Sequence, residues 1–222
     1  MPSGWVLAET FIDHLTVTAP TLAAGAAFVD QVLGVSPQPG GEHPRMGTHN
    51  LLLRLGESLF LEVIAPNLNA AAPARPRWFG LDRLGADAMP SLSTWVVRTD
   101  DIHASVVTCA EALGEIEPMS RGAIDWLITI PADGSVPVDG VAPALIEWHT
   151  LVHPAAGLPD RGLSLVGLEI IHPDPQRLSR LLWSLDLQGP VTLRLPPGGA
   201  MPHLVAHIRT PGGLRTLSFV AP

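Results

Sequence analysis

Gly47-Thr48-His49-Asn50-Leu51-Leu52-Leu53-Arg54-Leu55-Gly56-Glu57-Ser58-Leu59-Phe60-Leu61-Glu62-Val63-Ile64 carries two apolar runs of strand length around Gly56-Glu57, the pattern of a β-hairpin. A two-residue turn at Gly56-Glu57 places Leu55 opposite Ser58 and Leu51 opposite Glu62. Side chains alternate along a strand, so His49 is then expected on the face of Glu62, one diagonal away. An imidazole and a carboxylate among leucines are either the floor of a metal and substrate pocket or a plain structural pair. Burial sharpens the choice, because a carboxylate inside Phe60-Leu61-Glu62-Val63-Ile64 is costly without a metal, a histidine or an arginine beside it.

The hairpin closes a larger unit. Phe11-Ile12-Asp13-His14-Leu15-Thr16-Val17-Thr18 alternates as a strand. Leu22 to Val35 has helical spacing ending at Gly34, and the Pro/Gly-rich passage from Pro37 to Pro44 holds at best a poor strand. Residues 8–66 therefore read as β-α-β-β-β. Residues 67–90 form a connector rich in Ala, Pro and Arg. Its Arg77-Trp78-Phe79-Gly80-Leu81-Asp82 is either pinned on the core by Trp78 or laid as a lid over a site. Residues 91–152 repeat the order, with strands at Leu92–Val97, Ala123–Ile130 and Ala144–His149 and a helix from Asp101 to Leu113 capped by Asp100 or Asp101. Residues 163–222 follow as a third βαβββ-like unit, its helix starting at Asp174-Pro175 and its last strand spanning Leu214–Val220. Leu61-Glu62-Val63-Ile64-Ala65-Pro66 matches Leu217-Ser218-Phe219-Val220-Ala221-Pro222, and Ile146-Glu147-Trp148 matches Leu61-Glu62-Val63, a repeat of roughly 75 residues. One unit leaves a half-covered sheet that must bury its face on another copy. The expected fold is thus α+β, with repeated units building a cupped mixed sheet and a third unit at the C-terminus. An odd number of units points to a possible homodimer.

Composition narrows the chemistry. With 222 residues, 46% of them apolar and 15% charged, the chain can bury one or two cores. A net charge of −8 without a basic cluster argues against nucleic acid as a partner. No apolar run approaches membrane-spanning length, and Met1-Pro2-Ser3-Gly4-Trp5 has no basic segment followed by an apolar one, so a cytoplasmic protein without membrane partners is expected. Lysine and tyrosine are absent, which removes Schiff-base chemistry, a P-loop lysine and a tyrosine acid. Cys109 stands alone and reads as a small buried hydrophobe. Histidine and carboxylate chemistry remains.

Paired βαβββ units with His14 on the first strand and Glu62 on the last resemble the vicinal oxygen chelate superfamily, which includes glyoxalase I, extradiol dioxygenases and bleomycin-resistance proteins. Ile12-Asp13-His14-Leu15, Gly47-Thr48-His49-Asn50, Leu61-Glu62-Val63-Ile64-Ala65, Arg77-Trp78-Phe79-Gly80-Leu81-Asp82 and Pro143-Ala144-Leu145-Ile146-Glu147-Trp148 are similar to bacterial glyoxalase-like domain proteins. The resemblance implies a divalent metal ion (Fe, Mn, Zn or Ni) that polarises a small molecule with adjacent oxygens, in a lyase, isomerase or dioxygenase. Carried over by position, His14 and Glu62 are metal ligands, while the second unit keeps Glu147 but has Thr94 in place of a histidine. The resemblance also implies a strand order in which Glu62 lies between His14 and His49, so that these three form a two-histidine, one-carboxylate face. Glu62 or Glu147 would serve as the catalytic carboxylate, and Trp78, Trp126 and Trp148 would contact the substrate. The other reading the resemblance allows is a metal-free protein that sequesters a small apolar molecule.

Overall fold

A computed structural model describes residues 9–218. The last two residues of the expected strand Leu214–Val220, the end of the matching Leu217–Pro222 segment, and Met1-Pro2-Ser3-Gly4-Trp5 lie outside the described residues. The first unit comprises β1 (Thr10–Thr18), α1 (Leu22–Leu33), β2 (Gln38–His43), β3 (Thr48–Gly56) and β4 (Leu59–Pro66). The second comprises β5 (Ser91–Arg98), α2 (Ile102–Thr108), β6 (Glu115–Arg121), β7 (Ile124–Ile130), the single turn α3 (Pro137–Gly140) and β8 (Ala144–Trp148). Both join one sheet in the order β2-β3-β4-β1-β5-β8-β7-β6. Each unit therefore runs outward as first, fourth, third and second strand. The units meet at the antiparallel pair β1–β5, where Thr16 faces Thr94.

The sheet curls until its outermost strands, β2 and β6, approach each other. Charged pairs staple that seam. The Arg45 guanidinium reaches the Glu117 carboxylate and the Pro118 carbonyl, and Arg75 Nη1 lies 2.5 Å from Glu117 Oε1. A cup results, with its concave face toward the seam.

Local rules explain most elements. α1 starts where Thr21 Oγ1 accepts from Ala24 N at 3.1 Å and stops at Gly34, which takes the left-handed conformation (φ 71°). Inside it, a Cβ at Gly25 would stand 2.3 Å from Val63 Cγ1, so the missing side chain lets the helix settle onto β4. α2 ends at Thr108, well before Leu113. The run Val106-Val107-Thr108 is β-branched, and Thr108 Oγ1 bonds back to the Ala104 carbonyl at 3.2 Å. β6 has no counterpart among the expected strands. Pro118 interrupts its alternation, which an edge strand tolerates because one of its sides needs no amide donors.

The third unit comprises β9 (Ser164–Ile171), α4 (Pro175–Ser184), β10 (Leu187–Gln188), β11 (Val191–Arg194), β12 (His203–Thr210) and β13 (Gly213–Ser218). Its helix is followed by four strands, one more than in a βαβββ unit: β11-β9-β12-β13 form a separate sheet, while the two-residue β10 adds to β1 of the main sheet. Leu168, Ile170, Leu204, Ala206 and Ile208 share one core with Val29 and Leu33 of α1 and with Leu15, Val17 and Val63 on the convex side of the main sheet. Each such buried Leu, Ile or Val side chain contributes about 1.5–3 kcal/mol. The larger core thus lies behind the sheet, while a second apolar cluster that includes Met46, Ile64, Trp78, Val96, Trp126 and Ile146 packs in front of it.

Candidate functional site

The cup floor begins with a bulge. The β1–β5 register shifts between Ile12 and His14, and such a bulge re-aims side chains. Asp13, fully buried, and His14, 5% exposed, thereby come into contact. Asp13 Oδ1 lies 2.6 Å from His14 Nδ1, while Asp13 Oδ2 accepts from Trp148 Nε1 at 2.8 Å and meets His153 Nε2 at 2.8 Å. His153 Nδ1 accepts from the Ala155 amide, so its proton is on Nε2 and points at Asp13. Burial would raise the Asp13 pKa, but the hydrogen bonds and charges of His14 and His153 outweigh it and hold the carboxyl well below its ordinary value. Ionised Asp13 can only accept, so His14 Nδ1–H donates to it and Nε2 is the ring nitrogen turned toward the pocket. The ring stacks on Phe60 with centroids 4.5 Å apart, and Nε2 stands 3.7 Å from Glu62 Oε2.

Glu62 is 5% exposed and pairs through Asn50, not His49. Leu52, not Leu51, stands opposite Glu62: the turn residues are Glu57 and Ser58 instead of the expected Gly56 and Glu57, Gly56 pairs with Leu59, and the register then shifts by one between Arg54 and Gly56. A slip of one residue exchanges the faces of a strand. It turns His49 to the convex side and brings Asn50 into the cup, correcting the expected geometry. Asn50 Nδ2 donates to Glu62 Oε1 at 2.6 Å and Thr16 Oγ1 to Oε2 at 3.4 Å. Asn50 Oδ1 accepts from the Gly41 amide and from Arg121 Nη1 at 3.3 Å. Asn50→Leu strands a buried carboxylate and should cost roughly 3 kcal/mol, whereas His49→Ala should cost less than about 1 kcal/mol. Urea unfolding of the two variants side by side checks this register.

The walls are aromatic. Trp78, Phe79, Trp126, Trp148 and Phe60 line a narrow pocket together with His14, His43, Asn50, Glu62 and Arg121. Trp78 and Phe79 come from the connector, which forms a wall of the pocket. The Gly80 amide donates to the Gly134 carbonyl at 2.8 Å. Gly134 has φ 69°, and a Cβ there would meet the Arg77 carbonyl oxygen at 2.1 Å, so only glycine lets the connector pass.

His43, 5% exposed, is bracketed edge-on by Trp78 and Trp126 at centroid distances of 5.1 and 6.1 Å, and its Nδ1 lies 3.0 Å from Thr48 Oγ1. Burial drives its pKa down to about 4; Glu62 opposes the shift, and Arg121, His14 and His49 add to it. An unfolded chain protonates His43 near 6.5. Its contribution to stability is therefore complete above that pH and is lost as pH falls toward about 4. The loss amounts to about 3 kcal/mol at most. His43→Gln should flatten the melting temperature between these two pH values.

Of the residues singled out in the sequence, the structure brings His14, Glu62, Trp78, Trp126 and Trp148 together. It does not bring Glu147 or His49 to them. Ile146 and Trp148 face the pocket, so Glu147 between them faces away. Its Oε2 accepts from the Ile102 amide at the start of α2 at 2.8 Å, and its Oε1 meets His149 Nε2 at 3.0 Å. A carboxylate there complements a helix N-terminus. Thr94 bonds to the Trp95 carbonyl. Asp13, His43, Asn50, Arg121 and His153 are the site residues that the sequence reading missed. Asp13 beside His14 was the one with a visible signal, a second polar residue on an otherwise alternating strand.

A divalent ion needs three or four converging donors. His14 Nε2 and Glu62 Oε2 converge, but Glu62 is already held by Asn50 and Thr16, and Glu147 and His49 point elsewhere. No group of three or more His, Cys, Asp or Glu side chains is placed to hold a metal among the described residues. The side chains present do not fit the expected metal centre.

The family model for the glyoxalase-like domain matches residues 12–185. Comparison with curated protein sequences returns no match. Among solved structures, a hypothetical protein from Staphylococcus aureus is similar with a TM-score of 0.61 at 12% identity, over 85% of this chain and 86% of that one. Methylmalonyl-CoA epimerase from Streptomyces coelicolor, in complex with 2-nitronate-propionyl-CoA, aligns with a TM-score of 0.42 at 15% identity over 63% of this chain and 97% of that one. The Mycobacterium tuberculosis epimerase aligns at 0.38 and 13% identity over 62% and 85%. With most of its length matched and its two leading units arranged as a cupped sheet, the chain belongs to the glyoxalase-like domain family of the vicinal oxygen chelate superfamily.

Proposed function

We propose that this chain is a small-molecule enzyme that moves a proton at a carbon next to a carbonyl, the lyase or isomerase side of glyoxalase-like chemistry. One observation carries the reading: His14 is held by ionised Asp13 with its Nε2 free, facing Glu62 across 3.7 Å in an aromatic pocket. That is the geometry of an oriented general base. Proton exchange tests it. Protein incubated in D2O with a panel of 2-oxo acids, 2-hydroxy ketones and aryl ketones should wash deuterium into the carbon next to the carbonyl, followed by NMR. The exchange should survive chelation, since the donor set does not suit a resident divalent ion. Stoichiometric metal that is lost with both His14→Ala and Glu62→Ala would restore the metal-dependent reading and overturn this one.

A second reading is favoured by the walls. Three tryptophans around a narrow pocket suit a protein that binds and sequesters a flat apolar molecule. Tight binding with no exchange on any member of the panel, and no effect of His14 substitution on affinity, would select it.

A further inference from the structure

Among the described residues, three buried side-chain polar atoms have no hydrogen-bond partner: Arg75 Nε, Trp78 Nε1 and Trp126 Nε1. Arg75 belongs to the seam around Glu117. The two indoles line the pocket, with Trp78 3% and Trp126 4% exposed. Buried donors are rarely left unpaired, and each calls for an explanation such as a ligand. A third donor is near. Arg121 lies on β6 on the face of Met119, which pairs with Trp126 of β7, so Arg121 and Trp126 leave the sheet from diagonal positions, and both line the pocket. Arg121 spends one N–H on Asn50 Oδ1, its sole hydrogen bond among the described residues, and forms no ion pair within 4 Å there. Four of its five N–H donors are uncommitted.

We infer that Trp78 Nε1, Trp126 Nε1 and Arg121 form an oxyanion-binding subsite that receives the oxygen on which negative charge develops when His14 removes a proton. The inference rests on the proton-transfer reading above. In that step the C–H bond next to the carbonyl breaks and the proton passes to His14 Nε2. The electron pair moves through the carbon–carbon bond onto the carbonyl oxygen, giving an enolate. Donors already in place for that charge need no reorganisation when it forms. Of the other groups facing the pocket, His14 is the base, His43 is bonded to Thr48, and Glu62 opposes an anion. Asn50 and Thr16 already occupy the Glu62 oxygens, leaving Arg121 as the cation available to a ligand. The ligand class is a flat, largely apolar carbonyl compound whose ionised form carries its charge on oxygen.

The probe is 4-nitrophenol, one aromatic ring whose phenolate resembles an enolate oxygen and differs in colour from the neutral phenol. The full-length protein should bind the phenolate at least about tenfold more tightly than the phenol, the worth of a charge-assisted hydrogen bond. Arg121→Gln should abolish that preference. Trp126→Phe and Trp78→Phe keep the aromatic wall but remove one N–H each, and each should reduce the phenolate-over-phenol preference several-fold. Circular dichroism melts verify that each variant is folded. Binding of the neutral form in preference, no saturable binding, or a preference untouched in all three variants would overturn the subsite. The two readings fail separately. Phenolate preference without any deuterium exchange leaves the subsite and removes the reaction; exchange without phenolate preference does the reverse.

Discussion

His14→Gln is expected to lower deuterium exchange by at least about a hundredfold while leaving 4-nitrophenol binding nearly intact. A positioned general base contributes roughly 10²–10⁴ in rate. Glutamine fills much of the same volume on Phe60 but offers no basic nitrogen at the position of Nε2. Because Nδ1 is tied to Asp13 at 2.6 Å, the base has one orientation and one tautomer. Asp13→Asn should therefore reduce the rate mainly through kcat, with KM little changed, as expected of a residue that acts by orienting its neighbour. Exchange in His14→Gln within a few-fold of the unmodified protein would remove His14 from the chemistry.

Asp13→Ala is expected to have the largest effect on stability, roughly 3–5 kcal/mol and about 10 °C in melting temperature for a chain of this length. The carboxylate is fully buried and satisfies Trp148 Nε1, His14 and His153 at once, so its removal strands three donors in one place. Acid should act in the same direction. The folded carboxyl titrates below its unfolded value of about 3.9. Its contribution is thus complete above that pH and disappears as pH falls toward the lower folded value. Asp13→Ala should lack this acid-sensitive component in the pH dependence of its melting temperature. A drop of only a degree or two, with unchanged acid sensitivity, would mean that the three donors find other partners.

The hairpin shows how near a sequence reading comes and where it stops. Alternation located β3 and β4, and the polar interruption at Glu62 marked a site. The partner was misread because the turn falls at Glu57-Ser58, one residue later than expected, and the strand carries an irregularity after Arg54 that leaves no mark in residue types. One residue of slip exchanged His49 for Asn50, and an expected metal face became a hydrogen-bonded carboxylate. Glu147 failed for the same reason of parity. Its match to Glu62 in the repeat aligns letters, while the sheet presents Ile146 and Trp148 to the cup. Arg121 was out of reach because Pro118 hides its strand.

Period-two alternation, helix caps and a repeated element order are local properties, and from them the sequence alone determined an α+β fold of a cupped mixed sheet with His14 and Glu62 on its strands. Which side chains share a face, which strand curls against which, and how His153 reaches Asp13 across 140 residues depend on register, bulges and chain closure. Those are settled by packing between distant segments, so only the tertiary structure decided the make-up of the pocket.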